Sequence, residues 1–135
     1  MAKGMTVASV TLDHLIVRVR DAAETVAFWT RILGLADEGT TGPFSVVRVS
    51  ESLQIQFAPW GTEGNEHFAF ALADDEFERA FARIRDAGIP YGDSFHDVGN
   101  MRGPGREAGA RGDGEAVYFF DPNHHLLEIR RYREA

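Results

Sequence analysis

The sequence predicts an α+β domain made of two βαβββ modules, whose mixed sheets curve into a cup with the helices on the outside. Three observations predict it. The order strand, helix, strands runs twice along the chain. The two copies match at their starts, with His14 falling on His67, Val19 on Leu72, Asp21 on Asp74 and Phe28 on Phe81. Each copy also closes on a similar strand, Leu53-Gln54-Ile55 falling on Leu127-Glu128-Ile129. Such self-similarity marks one supersecondary unit used twice. Module one is expected over about residues 8–60 and module two over about 65–133 of a single domain.

The first module opens with an expected strand over 10–19, in which Leu15, Val17 and Val19 alternate with His14, Ile16 and Arg18. Asp21 then suits a helix N-cap, and Val26, Trp29, Ile32 and Leu33 recur at helical spacing through 22–33. Gly34 sits where a helix C-terminal glycine belongs. A short polar link leads to strands at 44–50 and 53–58, separated by Glu51-Ser52. Leu53, Ile55 and Phe57 share one face of the second strand, Gln54 and Gln56 the other. Residues 59–64 read as a linker.

The order then restarts. Residues 66–72 alternate Phe68, Phe70 and Leu72 with His67, Ala69 and Ala71. Asp74 is the expected cap of a helix over 76–86, with Phe77, Ala80, Phe81 and Ile84 on one stripe, ending at Ala87-Gly88. A strand is expected over 89–95, then a long glycine-rich loop over 96–114. The segment reads either as a plain flexible loop or as a lid over the cup, with Met101, Arg102 or Arg106 touching an anionic substrate, and His96 borders it. Last comes a hairpin about Asp121-Pro122-Asn123, with His124 and His125 expected at its surface.

Composition narrows the function. Net charge is −7, and Arg supplies all the positive charge apart from Lys3, so a basic nucleic-acid face is not expected. No apolar run is long enough to span a bilayer, and the opening Met1–Met5 stretch has no apolar export core. A cytoplasmic location, with neither nucleic acid nor membrane as partner, is the expectation. With no cysteine, any metal must be held by His, carboxylate or amide groups.

An acid in the middle of the last strand poses the central question. Ionised carboxylates are rarely buried without a proton, a cation or a metal beside them. Taken singly, His14, His67 and Glu128 each read as ordinary strand residues. The repeat places His and His at equivalent first strands, and Gln and Glu at equivalent last strands, all on the polar face of their module. Two His and one carboxylate form the triad that leaves coordination positions open for substrate or O2.

Within this frame, DHLIVRV, EHFAFAL and YFFDPNHHLLEI resemble the vicinal oxygen chelate superfamily, from Val10 to Tyr132. That group includes glyoxalase I, ring-cleaving extradiol dioxygenases, fosfomycin-modifying enzymes and bleomycin-binding proteins. The resemblance implies one divalent metal ion on His14, His67 and Glu128, with Gln54 where glyoxalase-type members place a further ligand, usually Glu. It implies a catalytic role for Tyr118, which stands ten residues before Glu128 as in the ring-cleaving members. Their acid–base histidine is replaced here by Ser52, and the threonine of the fosfomycin enzymes by Ile16. Arg18, Gln56 and Arg130 share the polar faces and are the expected substrate contacts. The three-residue ligand set leans toward a dioxygenase-like Fe(II) or Mn(II) enzyme acting on a small molecule, Ni(II) or Zn(II) being the other candidates. The alternatives are a glyoxalase-type lyase or isomerase, and a metal-free protein that sequesters a drug or metabolite. A homodimer is the expected assembly, and the sequence leaves open whether the modules pair within one chain or across the dimer.

Overall fold

A computed structural model describes residues 9–132. The opening stretch read for an export signal, Lys3 included, lies outside them, as do the outermost residues of the expected modules. Each polar face sits on its own mixed sheet, as the repeat predicts. The first sheet has the order β1-β4-β3-β2, from β1 (His14–Arg18), β2 (Ala36–Thr41), β3 (Phe44–Ser50) and β4 (Leu53–Ala58). The second has the order β5-β9-β8-β6, from β5 (His67–Ala71), β6 (Tyr91–Gly92), β8 (Gly112–Phe120) and β9 (Leu126–Tyr132), and β7 (Gly105–Gly109) also pairs with β8. In both, the first strand lies parallel to the last, and a helix makes the crossover. These are α1 (Ala22–Leu33) and α2 (Asp74–Asp86).

α1 begins and ends where the sequence says. The Asp21 carboxylate accepts from the Glu24 N–H at 2.9 Å. Gly34 takes the left-handed conformation, φ 72°, and its N–H reaches the Thr30 carbonyl. The start of α2 differs from expectation. Its N-cap is Ala73, with no side-chain cap, and Asp74 is the first helical residue, where its charge favours the helix dipole.

The helices cover the face of each sheet opposite the polar one, and both modules share one core. Trp29 of α1 packs edge-on against Phe57 of β4 and against Phe68 and Phe70 of β5, at centroid distances of 5.0, 5.3 and 5.7 Å. α1 also touches α2. His14, Ile16 and Arg18, and likewise His67, Ala69 and Ala71, face away from this core and are exposed.

The terminal turn ties the modules together. Asp121 accepts from Trp29 Nε1, from Asn123 N and Nδ2, and from His125 N. Asn123 in turn accepts from the Arg20 N–H at 2.8 Å. His125, expected at the surface, is 1% exposed. Its Nδ1 accepts the Glu66 N–H and its Nε2 faces the Arg18 carbonyl, so a turn residue serves as a bridge between sheets. His124 is exposed and stacks on Phe120.

Two strands lie where loops were expected. The polar link holds β2, exposed at all six positions, and the glycine-rich segment holds β7 and the start of β8. The strand expected over 89–95 shrinks to Tyr91–Gly92.

Candidate functional site

Glu128 and Arg130 lie on the polar face of β9, yet each is only 4% exposed. What buries them is a polar cluster. Oε1 of Glu128 stands 3.0 Å from Nε2 of His67. Oε2 accepts from Nη1 of Arg130 at 2.6 Å, and Nη2 of Arg130 donates to the Glu107 carbonyl of β7 at 2.7 Å. The register that brings His67 to Glu128 is the parallel β5–β9 pair, in which Glu128 lies beside Ala69, two residues beyond His67.

Tyr118 of β8 faces Glu128 directly across the antiparallel pair. Burial, and then the negative charge of Glu128, push its phenol up to about 12. At neutral pH the phenol therefore offers a proton rather than a negative charge. An open cleft of about 470 Å³ runs over this cluster. His67, Tyr118, Glu128 and Arg130 give its polar lining; Ala69, Ala71, Phe95, the Ala108–Arg111 end of the β7–β8 hairpin and Tyr132 give the rest.

At 3.0 Å the His67–Glu128 contact has hydrogen-bond length. An imidazole nitrogen beside a carboxylate oxygen is also the donor chemistry that would hold a divalent ion, and His67 lines the open cleft.

The first module's candidates lie elsewhere. His14 is exposed, its Nδ1 2.9 Å from Asp13 Oδ2. Gln54 donates to Glu38, Gln56 donates to Gln54, and Arg18 donates to the carbonyls of Trp60 and Gly61. Among the described residues no three His, Asp or Glu side chains of one chain gather at a point. The single chain thus unites His67, Glu128, Tyr118 and Arg130, and it leaves His14, Gln54, Gln56 and Arg18 on the other open face.

Register also separates the two glutamines. In β1–β4, Gln54 pairs with His14 itself, while Gln56 pairs with Ile16, two residues beyond. Counted from the first strand of its module, the position matching Glu128 belongs to Gln56. The shared Leu-X-Ile pattern had pointed to Gln54.

Several lining residues carried no signal in the sequence. Phe95 closed an expected strand and Arg111 lay in a segment read as loop, and Glu107 acts through its backbone carbonyl. Arg102, Arg106 and His96 do not line the cleft. Arg106 pairs with Asp113 across the hairpin, and His96 packs on Phe95.

Duplicated βαβββ modules, each presenting an uncovered polar sheet face, define a protein of the paired-module α+β class. The chain belongs to the Glyoxalase/Bleomycin resistance protein/Dioxygenase superfamily, whose family model matches residues 11–129. Among solved structures it is similar to the oxidase ChaP-H1, with 34% identity over 93% of this chain and 98% of that one, TM-score 0.76. It is likewise similar to the oxidase ChaP-H2, with 31% identity over 94% and 96% of the two chains, TM-score 0.78. Among curated proteins it is 27% identical to the glutathione transferase FosA of Serratia marcescens, over 88% of this chain and 79% of that protein. These relatives bear the names of enzymes. No helix among the described residues is long and apolar enough to cross a membrane.

Proposed function

We propose that the protein is a divalent-metal enzyme, dioxygenase-like in its leaning, acting on a small molecule through neighbouring oxygen atoms. The observation that carries this reading is the 3.0 Å approach of His67 Nε2 to Glu128 Oε1 at the head of an open cleft. His67 and Glu128 supply two ligands, and His14 of a second copy supplies the third. Each chain has one open face bearing His14 and another bearing His67, so a homodimer that apposes unlike faces completes two sites. Fe(II) or Mn(II) suits this nitrogen and oxygen set best. When bound, the ion would polarise substrate oxygens and stabilise negative charge on them.

The chain's own residues do the rest. Tyr118, held neutral, donates a hydrogen bond toward a substrate oxygen beside Glu128. Ala69 and Ala71 leave room above β5 for the substrate body. Phe95 and Tyr132 give apolar walls. Similarity to two oxidases above 30% identity supports the oxygen-dependent leaning. Similarity to a glutathione transferase supports a second reading, group transfer at the same centre, with Gln56 as a further ligand through its amide oxygen.

Metal analysis tests the proposal. Protein purified without chelator and offered Fe(II), Mn(II), Ni(II) and Zn(II) is expected to hold one ion per chain, and His67→Ala is expected to hold none. Protein that stays metal-free under all four would leave a binding module in place of an enzyme. Oxygen uptake with a catechol panel under Fe(II) is the expected activity; its absence beside turnover of a thiol acceptor would favour group transfer.

A further inference from the structure

Arg130 lies behind Glu128 as seen from His67, and β7 holds it there. We propose that Arg130 is a positioning residue for the Glu128 carboxylate, and that β7 sets it in place, so that the hairpin over the cleft governs the geometry of the centre. This rests on reading Glu128 as a metal ligand.

A buried guanidinium must have its charge compensated where it lies. Arg130 finds this in Glu128 Oε2 on one edge and the Glu107 carbonyl on another, with the Tyr132 ring 4.7 Å from its Cζ. Its Nε, also buried, has no hydrogen-bond partner. An orphan donor of this kind lowers stability, so the placement is poorly explained by stability alone. It is well explained by what Arg130 does to Glu128. With Oε2 held at 2.6 Å by Arg130, the carboxylate is oriented so that its other oxygen, Oε1, is presented beside His67. Partners behind a ligand in this way fix its orientation and basicity.

The grip depends on Gly109 of β7. A Cβ built there would stand 2.6 Å from Arg130 Nε and 2.5 Å from the Tyr132 hydroxyl, and it would overlap Cζ as well. Gly109 is not among the glycines with positive φ, so the backbone would accept another residue. What the position requires is space for the guanidinium. β7 therefore touches Arg130 twice, through the Glu107 carbonyl and through the missing side chain at 109. A displacement of the hairpin would release Arg130, and Arg130 would release Glu128.

The test is Mn(II) binding by titration calorimetry to chelator-stripped full-length protein, in wild type, Arg130→Met, Gly109→Ala and the double variant. Thermal unfolding of the metal-free forms is followed alongside. Each single variant is expected to lose about ten- to a hundred-fold in affinity, and the double variant no more than the worse single one. The visible spectrum of the Co(II) form is expected to change in Gly109→Ala, although residue 109 touches no ligand. Wild type that binds tightly beside two variants with unchanged affinity and spectrum would overturn the positioning role and leave the ligand reading intact. Losses that add in the double variant would overturn the link through β7. Wild type that binds no Mn(II) would remove the ligand reading, and this inference with it.

Discussion

The phenol of Tyr118 is the side chain whose acidity most directly reports the state of the site. Its neutral form is favoured in the folded protein, so the stability it contributes is complete below the ordinary tyrosine pKa of about 10. That stability is lost as pH rises toward about 12, the folded value. In metal-free protein, Glu128→Gln removes the second cause of the shift and is expected to lower the midpoint of one tyrosine in an ultraviolet titration. Identical titrations of the two proteins would show that Glu128 does not act on Tyr118. A second prediction concerns the glutamines. Gln56→Ala is expected to alter metal affinity more than Gln54→Ala, because Gln56 holds the register of Glu128. Calorimetry ranks the two directly, and the reverse order would restore the assignment suggested by the Leu-X-Ile match. At this scale the sequence exposed Glu128, since a charge inside the closing strand of a fold needs a reason. It could not expose the task of Arg130. Alternation puts residues 128 and 130 on one face, and whether a cation there meets a substrate or its own neighbour depends on β7.

Elements with a buried face were legible; those without one were not. α1, β3 and β4 fall where their apolar spacing puts them, because Trp29, Val47 and Phe57 each have a core to face. β2 reads Ala-Asp-Glu-Gly-Thr-Thr and is exposed throughout, so no hydrophobic period marks it. β7 is marked even less, as glycine and alanine are poor strand signals. Both gain their order from a neighbour, β3 and β8 respectively, and only tertiary pairing reveals them. The terminal turn was read correctly as a turn, but its role exceeds one. Asp121 accepts four hydrogen bonds that join β9 to α1 and fix its own loop. Asp121→Ala strands those donors and is expected to destabilise the protein by about 3 kcal/mol. Urea unfolding measures it; a change within the error of the midpoint would show that the turn is held by other means.

At the scale of the whole molecule, the proposed metal centre needs a residue that the single chain holds elsewhere. One core, centred on Trp29, binds both helices and both sheets, and the two polar faces are turned away from it. The repeat in the sequence foretold two matching faces, but not that folding would keep His14 apart from His67 and Glu128 within a chain. Sequence spacing cannot distinguish a cup closed by one chain from a cup closed by two. Exposure of Ile16 at 48% beside His14 is consistent with a face awaiting cover. Mixed dimers decide the matter. His14→Ala and His67→Ala proteins are unfolded together, refolded, and the heterodimer is isolated by two affinity tags. If each centre draws His14 from one chain and His67 with Glu128 from the other, the heterodimer regains one intact centre and binds one Mn(II), while both parent homodimers bind none. A heterodimer as empty as its parents would contradict a centre shared between chains.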